Sequence, residues 1–510
     1  MDPSDPLLIR EIGRRTVERR HFVGALTATA LAMGASQSAK AATASGSYIN
    51  VMDYGATGNG STDDSPAFKN AVAALVTAGG GTLFVPVGNY LINSTVVVAH
   101  SNIRIQGTGV ESWIINGQPG AAAIQFGDGT TIYYSCGAFD LAFGQASNVS
   151  AGNGNRGLSM LKMGQSWVER CVCVNYPSAL YDGFYFNSCT QLMFSGNAAT
   201  GCLGSGFYWS NLCVDMYMVN TRSDACGTGF KIEDSAGFYV TNAAGYSNGI
   251  CWSLVTAGSG GNSNLWFTNC IGDTSGTVNW NITNCHVAFF DNCWGSTQQS
   301  AQSNTWASGF LLNGTNVSDI TFTGGTALYN NAHGVSIDGG AARIIFSGFL
   351  FGDLPNGNGR SASGGHGLFI GTASDIRVVG SLFSGNNGYG LTNGAGVNVD
   401  VSQSTFTGNQ LGALHSTSSS SGTCCYRDNR GFNPVAGGVV TPSLPASGSA
   451  VTNGTSVDCT AYLSGGQVTN VAINGTSTGL SGSALSVFVP AGASITVTYS
   501  TAPSWRWIGH

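Results

Sequence analysis

Charged residues are scarce in this chain: Asp, Glu, Lys and Arg make up only 9% of its 510 residues. From residue 42 onward there are 21 acidic and 13 basic residues without a basic cluster, so we expect no nucleic-acid partner. No Cys-x-x-Cys pair occurs, which argues against a structural zinc site. No apolar run is long enough to span a bilayer. The apolar fraction of 42% nevertheless allows a large buried core.

A glycine followed by alternating apolar residues recurs through the middle of the chain. With a glycine-less copy near Val278 included, the copies are 20 to 33 residues apart and begin at Gly183, Gly206, Gly229, Gly249, Gly309, Gly334, Gly367 and Gly390. Self-similarity at this period indicates one structural coil per copy. Alternation with period two indicates strands rather than helices. The sequence therefore predicts a parallel β-helix of roughly twelve coils between His100 and Leu414.

The N-terminal segment has the features of an export signal. Residues 18–23 (Glu-Arg-Arg-His-Phe-Val) precede an apolar run over 25–35, and residues 39–41 (Ala-Lys-Ala) fit a small-x-small cleavage site. The segment resembles a twin-arginine signal, which a receptor reads and which is not an anchor. We therefore expect residues 1–41 to be removed and the mature protein to be periplasmic or extracellular, without membrane contact.

Most of the 14 cysteines lie inside or beside apolar strand segments. A free thiol there behaves as a small buried hydrophobe, so we expect most of them to be unpaired. Oxidation of Cys424, Cys425 and Cys459 stays open, without assigned partners.

Residues 50–56 (Asn-Val-Met-Asp-Tyr-Gly-Ala), 58–68 and 79–90 carry a family resemblance. They resemble the opening of the pectate-lyase-3-type right-handed β-helix proteins, which include glycoside hydrolases and phage tailspikes. The resemblance covers residues 48–93 and implies an all-β, right-handed, single-stranded parallel β-helix rather than a particular reaction. In this segment, Ser65 before Pro66 predicts a helix that ends at Gly79 and covers the open end of the β-helix.

These observations divide the chain into four parts. After the signal, residues 48–415 are expected to form the β-helix, 416–447 a serine- and proline-containing linker, and 448–510 a small β module. The end of the module is similar to C-terminal modules of phage tail proteins. That similarity implies carbohydrate binding or trimer formation.

Alternation also assigns side chains to the two faces of the strands. Because Phe230 and Ile232 must point inward, Lys231 and Glu233 point outward on the long face of the cylinder. The same register places further aromatic and polar residues on that face: Tyr185, Asn187, Tyr208, Ser210, Ser253, Asn313, Ser336 and Asp338. Such a strip suits a bound sugar chain, since tyrosine rings stack on pyranoses and polar groups bond to hydroxyls or carboxylates.

Carboxylates are the residues to search for, because glycosidic hydrolysis needs two of them at a suitable separation. Glu233 and Asp182 lie two coils apart, ~10 Å along the axis. Asp224 is a further acidic candidate that would modulate Glu233. A second candidate cluster combines Asp338 with His333, His366 and Asp353.

A second family resemblance concerns the residue just before each repeat glycine. Residues 364–371 (Gly-Gly-His-Gly-Leu-Phe-Ile-Gly) resemble the Gly-His-Gly segment of polygalacturonase-type glycoside hydrolases. The resemblance implies catalytic roles for His366 and Asp182, both directly before a repeat glycine. The chain departs from that family in lacking its Asp-Asp pair and its Arg-Ile-Lys segment. A structural role for His366 in a turn is the alternative.

Together these features favour an exported polysaccharide-degrading enzyme, a glycoside hydrolase in the first instance. The second interpretation is a polysaccharide lyase acting on uronate polymers, with Lys231 and Arg222 as base and cation and with calcium as its cofactor. The third is a non-enzymatic carbohydrate-binding, tailspike-like adhesin. Tyr185, Asn187 and Tyr208 are expected to bind the polysaccharide in each case. We expect no cofactor for the hydrolase and no metal site, and a homotrimer fits the tailspike resemblance.

Overall fold

The computed structural model describes residues 47–150, 152, 154–175, 178–258, 260–298, 307–353, 357–360, 365–417, 424–432, 439–455 and 457–509. In these ranges the chain winds into a parallel β-helix of about 14 turns, followed by a curled sheet near the C-terminus. The predicted fold class is confirmed. The predicted signal at residues 1–41 lies outside the described ranges. No helix among the described residues is long and apolar enough to cross a membrane.

Each turn of the β-helix contributes one strand to each of three parallel sheets, here called A, B and C. Sheet A contains Ser47–Asn50, Gly81–Phe84, Ile103–Gln106, Gly137–Phe139, Trp167–Glu169, Met193–Ser195, Val214–Val219, Ala236–Thr241, Asn262–Thr268, Cys285–Asp291, Val317–Thr323, Ala341–Ser347, Ala373–Val379, Val397–Ser402 and Cys425–Arg427. Sheet B contains Asn59–Asp63, Gly88–Ile92, Ser112–Asn116, Ala142–Gln145, Val172–Cys173, Ala198–Thr200, Arg222–Asp224, Ala244–Tyr246, Ile271–Ser275, Trp294–Gln298, Thr326–Leu328, Leu350–Phe351, Leu382–Ser384 and Thr405–Thr407. Sheet C contains Val96–Val98, Ala122–Phe126, Arg156–Leu161, Asp182–Asn187, Ser205–Ser210, Thr228–Glu233, Ile250–Val255, Trp280–Ile282, Phe310–Asn313, Val335–Asp338, Leu368–Ile370, Tyr389–Asn393 and Gly412–Ser416.

Three smaller features complete the secondary structure. A 3-10 helix spans Val51–Tyr54, and a two-stranded parallel sheet pairs Tyr133–Tyr134 with Met163–Gly164. The C-terminal sheet is antiparallel and has six strands: Ala450–Thr452, Cys459–Ile473, Thr476–Ser477, Gly482–Val489, Ser494–Thr501 and Ser504–Gly509.

The α-helix Ser65–Ala78 covers the N-terminal end of the β-helix through the buried side chains of Phe68 and Leu75. It ends at Gly79, as predicted, where φ is +83°. The helix begins one residue earlier than predicted, because Asp64 rather than Ser65 occupies the N-cap position. Ser65 instead donates a hydrogen bond to Asp63 and accepts one from the backbone of Asn93.

The interior is filled by columns of stacked rings from successive turns. On the inner side of sheet C, neighbouring ring centroids are 4.1 to 5.6 Å apart along Phe184, Phe207, Phe230, Trp252, Trp280 and Phe310. Phe230 and Ile232 are fully buried, so the predicted alternation on this strand is confirmed. All 14 cysteines are free, and all but Cys425 are buried. Burial raises the pKa of Cys171 to about 12, which keeps this thiol protonated.

A ladder of asparagines, buried except for Asn409, runs beside the ring columns at the corner between sheets B and C. Its side-chain amides are joined by hydrogen bonds of 2.8 to 3.4 Å through Asn279, Asn330, Asn358, Asn386 and Asn409. Sequence analysis did not predict this ladder, because its members follow no constant motif.

The register corrects one of the repeat copies. Thr228 pairs with Ile250 and Phe230 pairs with Trp252, so the glycine position of this coil is occupied by Cys251 and not by Gly249. Gly249 lies in the corner between sheets B and C, where its amide donates to the carbonyl of Cys226. The error arose because glycine is used in this corner as well as at the start of the strand.

Candidate functional site

Six side chains form one continuous cluster on the outer side of sheet C, here called the Tyr208 cluster: Arg156, Asp182, Tyr185, Tyr208, Lys231 and Glu233. They come from four successive strands of the sheet. Parallel pairing puts Tyr185, Tyr208 and Lys231 in one column, each directly above the last. Five of the six were predicted from alternation and from the pre-glycine position. Arg156 was not.

Tyr208 is the centre of the cluster. Its hydroxyl donates a 2.7 Å hydrogen bond to Oε1 of Glu233, while Nζ of Lys231 lies 2.6 Å from Oε2 of the same carboxylate. Glu233 is only 8% exposed, although its side chain leaves the outer side of the strand. Burial raises the pKa of Tyr208 well above its usual value, and the Glu233 carboxylate raises it further. Tyr208 is therefore a neutral phenol at physiological pH.

Arg156 and Asp182 form the other end of the cluster. Nε of Arg156 lies 3.3 Å from Oδ2 of Asp182, and Oδ1 of Asp182 accepts a 2.8 Å hydrogen bond from the backbone amide of Ser205. Asp182 is 3% exposed. Its carboxylate is therefore a buried ion-pair partner whose two oxygens are both already engaged.

Each tyrosine ring of the cluster has a cation over its face. The guanidinium of Arg156 lies 3.5 Å from the ring centroid of Tyr185, and Nζ of Lys231 lies 4.2 Å from that of Tyr208. The two rings meet edge to face with centroids 5.2 Å apart. The row Arg156–Tyr185–Tyr208–Lys231 thus alternates charge and ring. In this arrangement the rings hold the two cations, and neither ring is an open platform for a sugar.

Asn187 supports this row from the end of the Tyr185 strand. Its Nδ2 donates to the hydroxyl of Tyr185 and to Oγ of Ser210, both at 3.0 Å. The hydroxyls of Tyr185 and Ser210 are themselves 3.1 Å apart. Asn187 therefore fixes the position of the Tyr185 hydroxyl.

The geometry changes the interpretation of Asp182 and Glu233 as a catalytic pair. Asp182 is the first residue of its strand and Glu233 is the last residue of its strand. At ~3.3 Å per residue, this offset adds roughly 16 Å across the sheet to the ~10 Å along the axis. The backbone positions are therefore farther apart than the roughly 6.5–9.5 Å between the carboxyls of inverting hydrolases.

Arg222 and Asp224 lie elsewhere. Both belong to the strand Arg222–Asp224 of sheet B, before the corner that leads into the strand of Glu233. Arg222 is exposed, and its strand neighbours in the sheet are Ala198 and Ala244. Alternation gives the side of a strand but not the sheet to which the strand belongs, so these two residues were wrongly grouped with Glu233.

The residues of the second predicted cluster lie at opposite ends of the strands of sheet C. His333 and His366 lie together before their strands, with ring centroids 5.1 Å apart. Asp338 ends the strand Val335–Asp338 at the other edge, where its Oδ1 accepts hydrogen bonds from the backbone amides of Gly339 and Thr372. Asp353 is exposed. Asp338 therefore holds a turn and is not placed beside the histidines.

No group of three or more His, Cys, Asp or Glu side chains is arranged to hold a metal ion in the ranges that the structure describes. Calcium therefore has no evident all-protein site there, and its role stays a prediction tied to the lyase interpretation.

Comparison with known proteins identifies the fold. Residues 48–167 match the family model described as rhamnogalacturonase A/epimerase, pectate lyase-like. The similarity to this family is thus confined to an N-terminal part of the chain. Tailspike protein 3 of bacteriophage CBA120 superposes over 79% of this chain and 65% of its own, with a TM-score of 0.55 and 14% identity. At that identity the similarity establishes the β-helix fold alone.

Two curated relatives match shorter segments. Alginate lyase 7 of Azotobacter vinelandii is 38% identical over 72 residues, which are 13% of this chain and 8% of the relative. Mannuronan C5-epimerase AlgE1 of the same organism is 45% identical over 47 residues, which are 9% of this chain and 3% of the relative. The chain thus matches less than a tenth of the length of each relative.

Arg156, the one member of the Tyr208 cluster that was not predicted, could have been found from the sequence. Arg156 precedes Gly157, which is followed by Leu158, Ser159 and Met160 in the same glycine-apolar alternation as the later copies. Arg156 pairs in register with Asp182 and so occupies the pre-glycine column. Extending the repeat by one copy would have identified it.

The histidine stack explains what His366 does in this structure. Nδ1 of His333 accepts a hydrogen bond from the backbone amide of His366, and Nδ1 of His366 accepts one from the amide of Tyr389. Each imidazole must be neutral for its Nδ1 to accept. Burial lowers the pKa of His333 to about 3 and that of His366 to about 4. These contacts support the alternative of a turn role for His366.

This stack predicts loss of stability in mild acid. Unfolded histidines titrate near about 6.5, so below that pH the unfolded chain binds more protons than the folded one. Stability is fully present above this value and falls as the pH drops towards the folded values of about 3 and 4. We expect the melting temperature to fall between pH 7 and pH 5, and His333→Phe, which keeps the stack, to weaken that dependence. An equal slope in the variant would contradict this account.

Proposed function

We propose that this protein is a polysaccharide lyase that removes the C5 proton of a uronate residue in an acidic polymer bound along sheet C. The observation that carries the proposal is the contact of one carboxylate, Glu233, with both the Lys231 ammonium and the Tyr208 hydroxyl. β-Elimination needs a base for the C5 proton, an acid for the leaving oxygen and a cation for the uronate carboxylate. Lys231 and Tyr208 supply the base and the acid, and a cation that binds together with the substrate supplies the third group.

The proposed step balances within the cluster. The Lys231 ammonium first gives a proton to the Glu233 carboxylate. Nζ of Lys231 then takes the C5 proton, the bond between C4 and the glycosidic oxygen breaks, and a double bond forms between C4 and C5. The Tyr208 hydroxyl gives its proton to the leaving oxygen. Glu233, which contacts both groups, passes the proton from Lys231 back to Tyr208. The phenol is protonated before the step, because burial and the Glu233 carboxylate raise the pKa of Tyr208.

Hydrolysis is less well supported by the same residues. The carboxylates of Asp182 and Glu233 start from opposite ends of their strands, and each one is neutralised by a cation. A hydrolase needs one carboxyl protonated as acid and a second carboxylate as base or nucleophile. In this structure both carboxylates are engaged by cations and largely buried, so neither is presented to a substrate.

A C5-epimerase is the second candidate function. Of the seven curated relatives, six are mannuronan C5-epimerases and one is an alginate lyase. Epimerisation and elimination share removal of the C5 proton and differ in whether a proton returns or the leaving group departs. The lyase is preferred because Tyr208 supplies a proton donor for the leaving oxygen.

Localisation, oligomeric state and the calcium cofactor are part of the same proposal. We expect export by the twin-arginine route to the periplasm or beyond, and assembly as a homotrimer. Light scattering on the mature protein tests the trimer. A calcium chelator tests the cofactor, with reduced activity expected if calcium binds the substrate carboxylate.

The activity is tested by incubating the mature protein with polymannuronate, polyguluronate and polygalacturonate. We expect ultraviolet absorbance from the unsaturated product to rise together with reducing ends on at least one polymer. Reducing ends without absorbance would contradict the lyase in favour of a hydrolase. Uptake of solvent deuterium at C5 without new ends would favour the epimerase. Binding without either change would favour the adhesin.

A further inference from the structure

The outer side of sheet A, on a different face from the Tyr208 cluster, presents an exposed column of large side chains. Successive rings in register are 4.9 to 5.7 Å apart and within 14° of parallel along Tyr217, Tyr239, Trp266 and Phe289. Tyr217, Tyr239 and Phe289 are 39 to 44% exposed. Within the column, the two inner rings, Tyr239 and Trp266, have a ring neighbour on both sides.

The column is interrupted after Phe289. The next position in register is Thr321 and the one after it is Ile345. Trp266 covers one side of the Phe289 ring, and no aromatic ring among the described residues covers the other. Since two turns separate Phe289 from Ile345, the gap above Thr321 is ~10 Å along the axis. A pyranose ring in van der Waals contact on both sides needs roughly 8 Å, twice the usual carbon–carbon distance.

The gap opens into a groove with a volume of about 530 Å³. Polar side chains line part of the groove, among them Asp319 and Arg343. Nε and Nη2 of Arg343 donate hydrogen bonds of 2.6 and 2.8 Å to the two carboxylate oxygens of Asp319. Farther along, Arg377 lies 3.7 Å from Oδ2 of Asp400. The other oxygen of Asp400, Oδ1, is buried and has no hydrogen-bond partner in the described part of the chain.

The charge of this groove indicates the kind of ligand. Three carboxylates line it, those of Asp319, Asp375 and Asp400, against the guanidiniums of Arg343 and Arg377. Acceptors are therefore in excess, which suits a donor-rich, uncharged ligand and disfavours a polyanion. Sugar hydroxyls donate to carboxylates, and the partly exposed carboxylates of Asp319 and Asp400 border the groove.

We infer that this groove is a carbohydrate-binding site for a neutral pyranose-containing polysaccharide, separate from the uronate site on sheet C. One sugar ring stacks on the open side of Phe289 above Thr321, with its far side towards Ile345. Asp319 accepts hydrogen bonds from its hydroxyls, and Asp375 and Asp400, two and three turns farther along the axis, accept them from the sugar units that follow. The site requires no catalysis and is independent of the proposed lyase activity.

The test is electrophoresis of the mature protein through gels cast with a neutral glucan, a neutral mannan, a neutral galactan or polymannuronate. We expect at least one neutral polymer to retard the wild type. Thr321→Trp, which fills the gap with a ring, should weaken that retardation by about tenfold in apparent affinity. Phe289→Ala should act in the same direction.

Tyr217→Ala is the matched control, because it removes an exposed ring of the same column three turns away from the groove. It should bind the neutral polymer like the wild type, and Thr321→Trp should keep the wild-type retardation by polymannuronate. The inference is overturned if no neutral polymer retards the wild type, if Thr321→Trp binds unchanged, or if Tyr217→Ala loses binding equally. Failure of the lyase assay would leave these results unaffected.

Discussion

Lys231→Met is expected to lower the rate of unsaturated-product formation at least about a hundredfold, the usual scale for loss of a general base. Methionine keeps the length and apolar part of the side chain but cannot take a proton. Glu233 then loses its ion-pair partner and Tyr208 its neighbouring cation. The measurement is the initial rate of ultraviolet absorbance on the most active uronate polymer, at substrate concentrations that separate kcat from KM.

Arg222→Met is the matched control for Lys231→Met. It removes one cation from the adjacent strand of sheet B, which lies outside the Tyr208 cluster. We expect its rate to stay within about twofold of the wild type, since a surface charge at this position touches no reacting group. Equal losses in both variants would show a general charge effect and would contradict the role of Lys231.

Asn386→Ala is expected to lower the free energy of unfolding by roughly 3 kcal/mol, because it leaves several buried groups without partners. The Asn386 side chain accepts hydrogen bonds from the backbone and side chain of Asn358, and donates to the carbonyl of Phe351 and to Oδ1 of Asn409. It is fully buried, so water cannot replace these bonds. Urea unfolding followed by tryptophan fluorescence measures the change.

Asn292→Gly controls for this loss at an exposed corner between sheets A and B. Asn292 donates a 2.8 Å hydrogen bond to Asn269, and its φ of +51° suits glycine. We expect a change below about 0.5 kcal/mol, because water replaces an exposed hydrogen bond. If Asn292→Gly lowered the free energy of unfolding as much as Asn386→Ala does, the interior ladder would contribute no more to stability than an exposed hydrogen bond.

The fold was predictable because a β-helix repeats one simple rule. Each coil needs inward apolar residues with period two and a small residue where the chain turns, and both were visible at Gly229, Phe230 and Ile232. The exposed corner between sheets A and B follows a simple rule as well. Its left-handed position is occupied by Asn220, Asn242 and Asn269, and by Gly196 in the coil before them.

The site was predictable only in part. Alternation placed Tyr185, Tyr208, Lys231 and Glu233 on one outer surface, and the structure brings all four together. Alternation alone could not tell at which end of a strand a carboxylate lies. That position follows instead from the distance to the repeat glycine, since His333 directly precedes Gly334 whereas Asp338 follows it by four residues. Asp338 was therefore grouped with the distant histidines.

The central claim is best tested by the fate of solvent oxygen. A uronate polymer is digested in water enriched in heavy oxygen, and the fragments are analysed by mass spectrometry. Elimination predicts fragments with an unsaturated end, each lighter by one water than a hydrolysis product and without heavy oxygen from the cleavage. Saturated fragments that carry heavy oxygen at their new reducing ends would contradict the account.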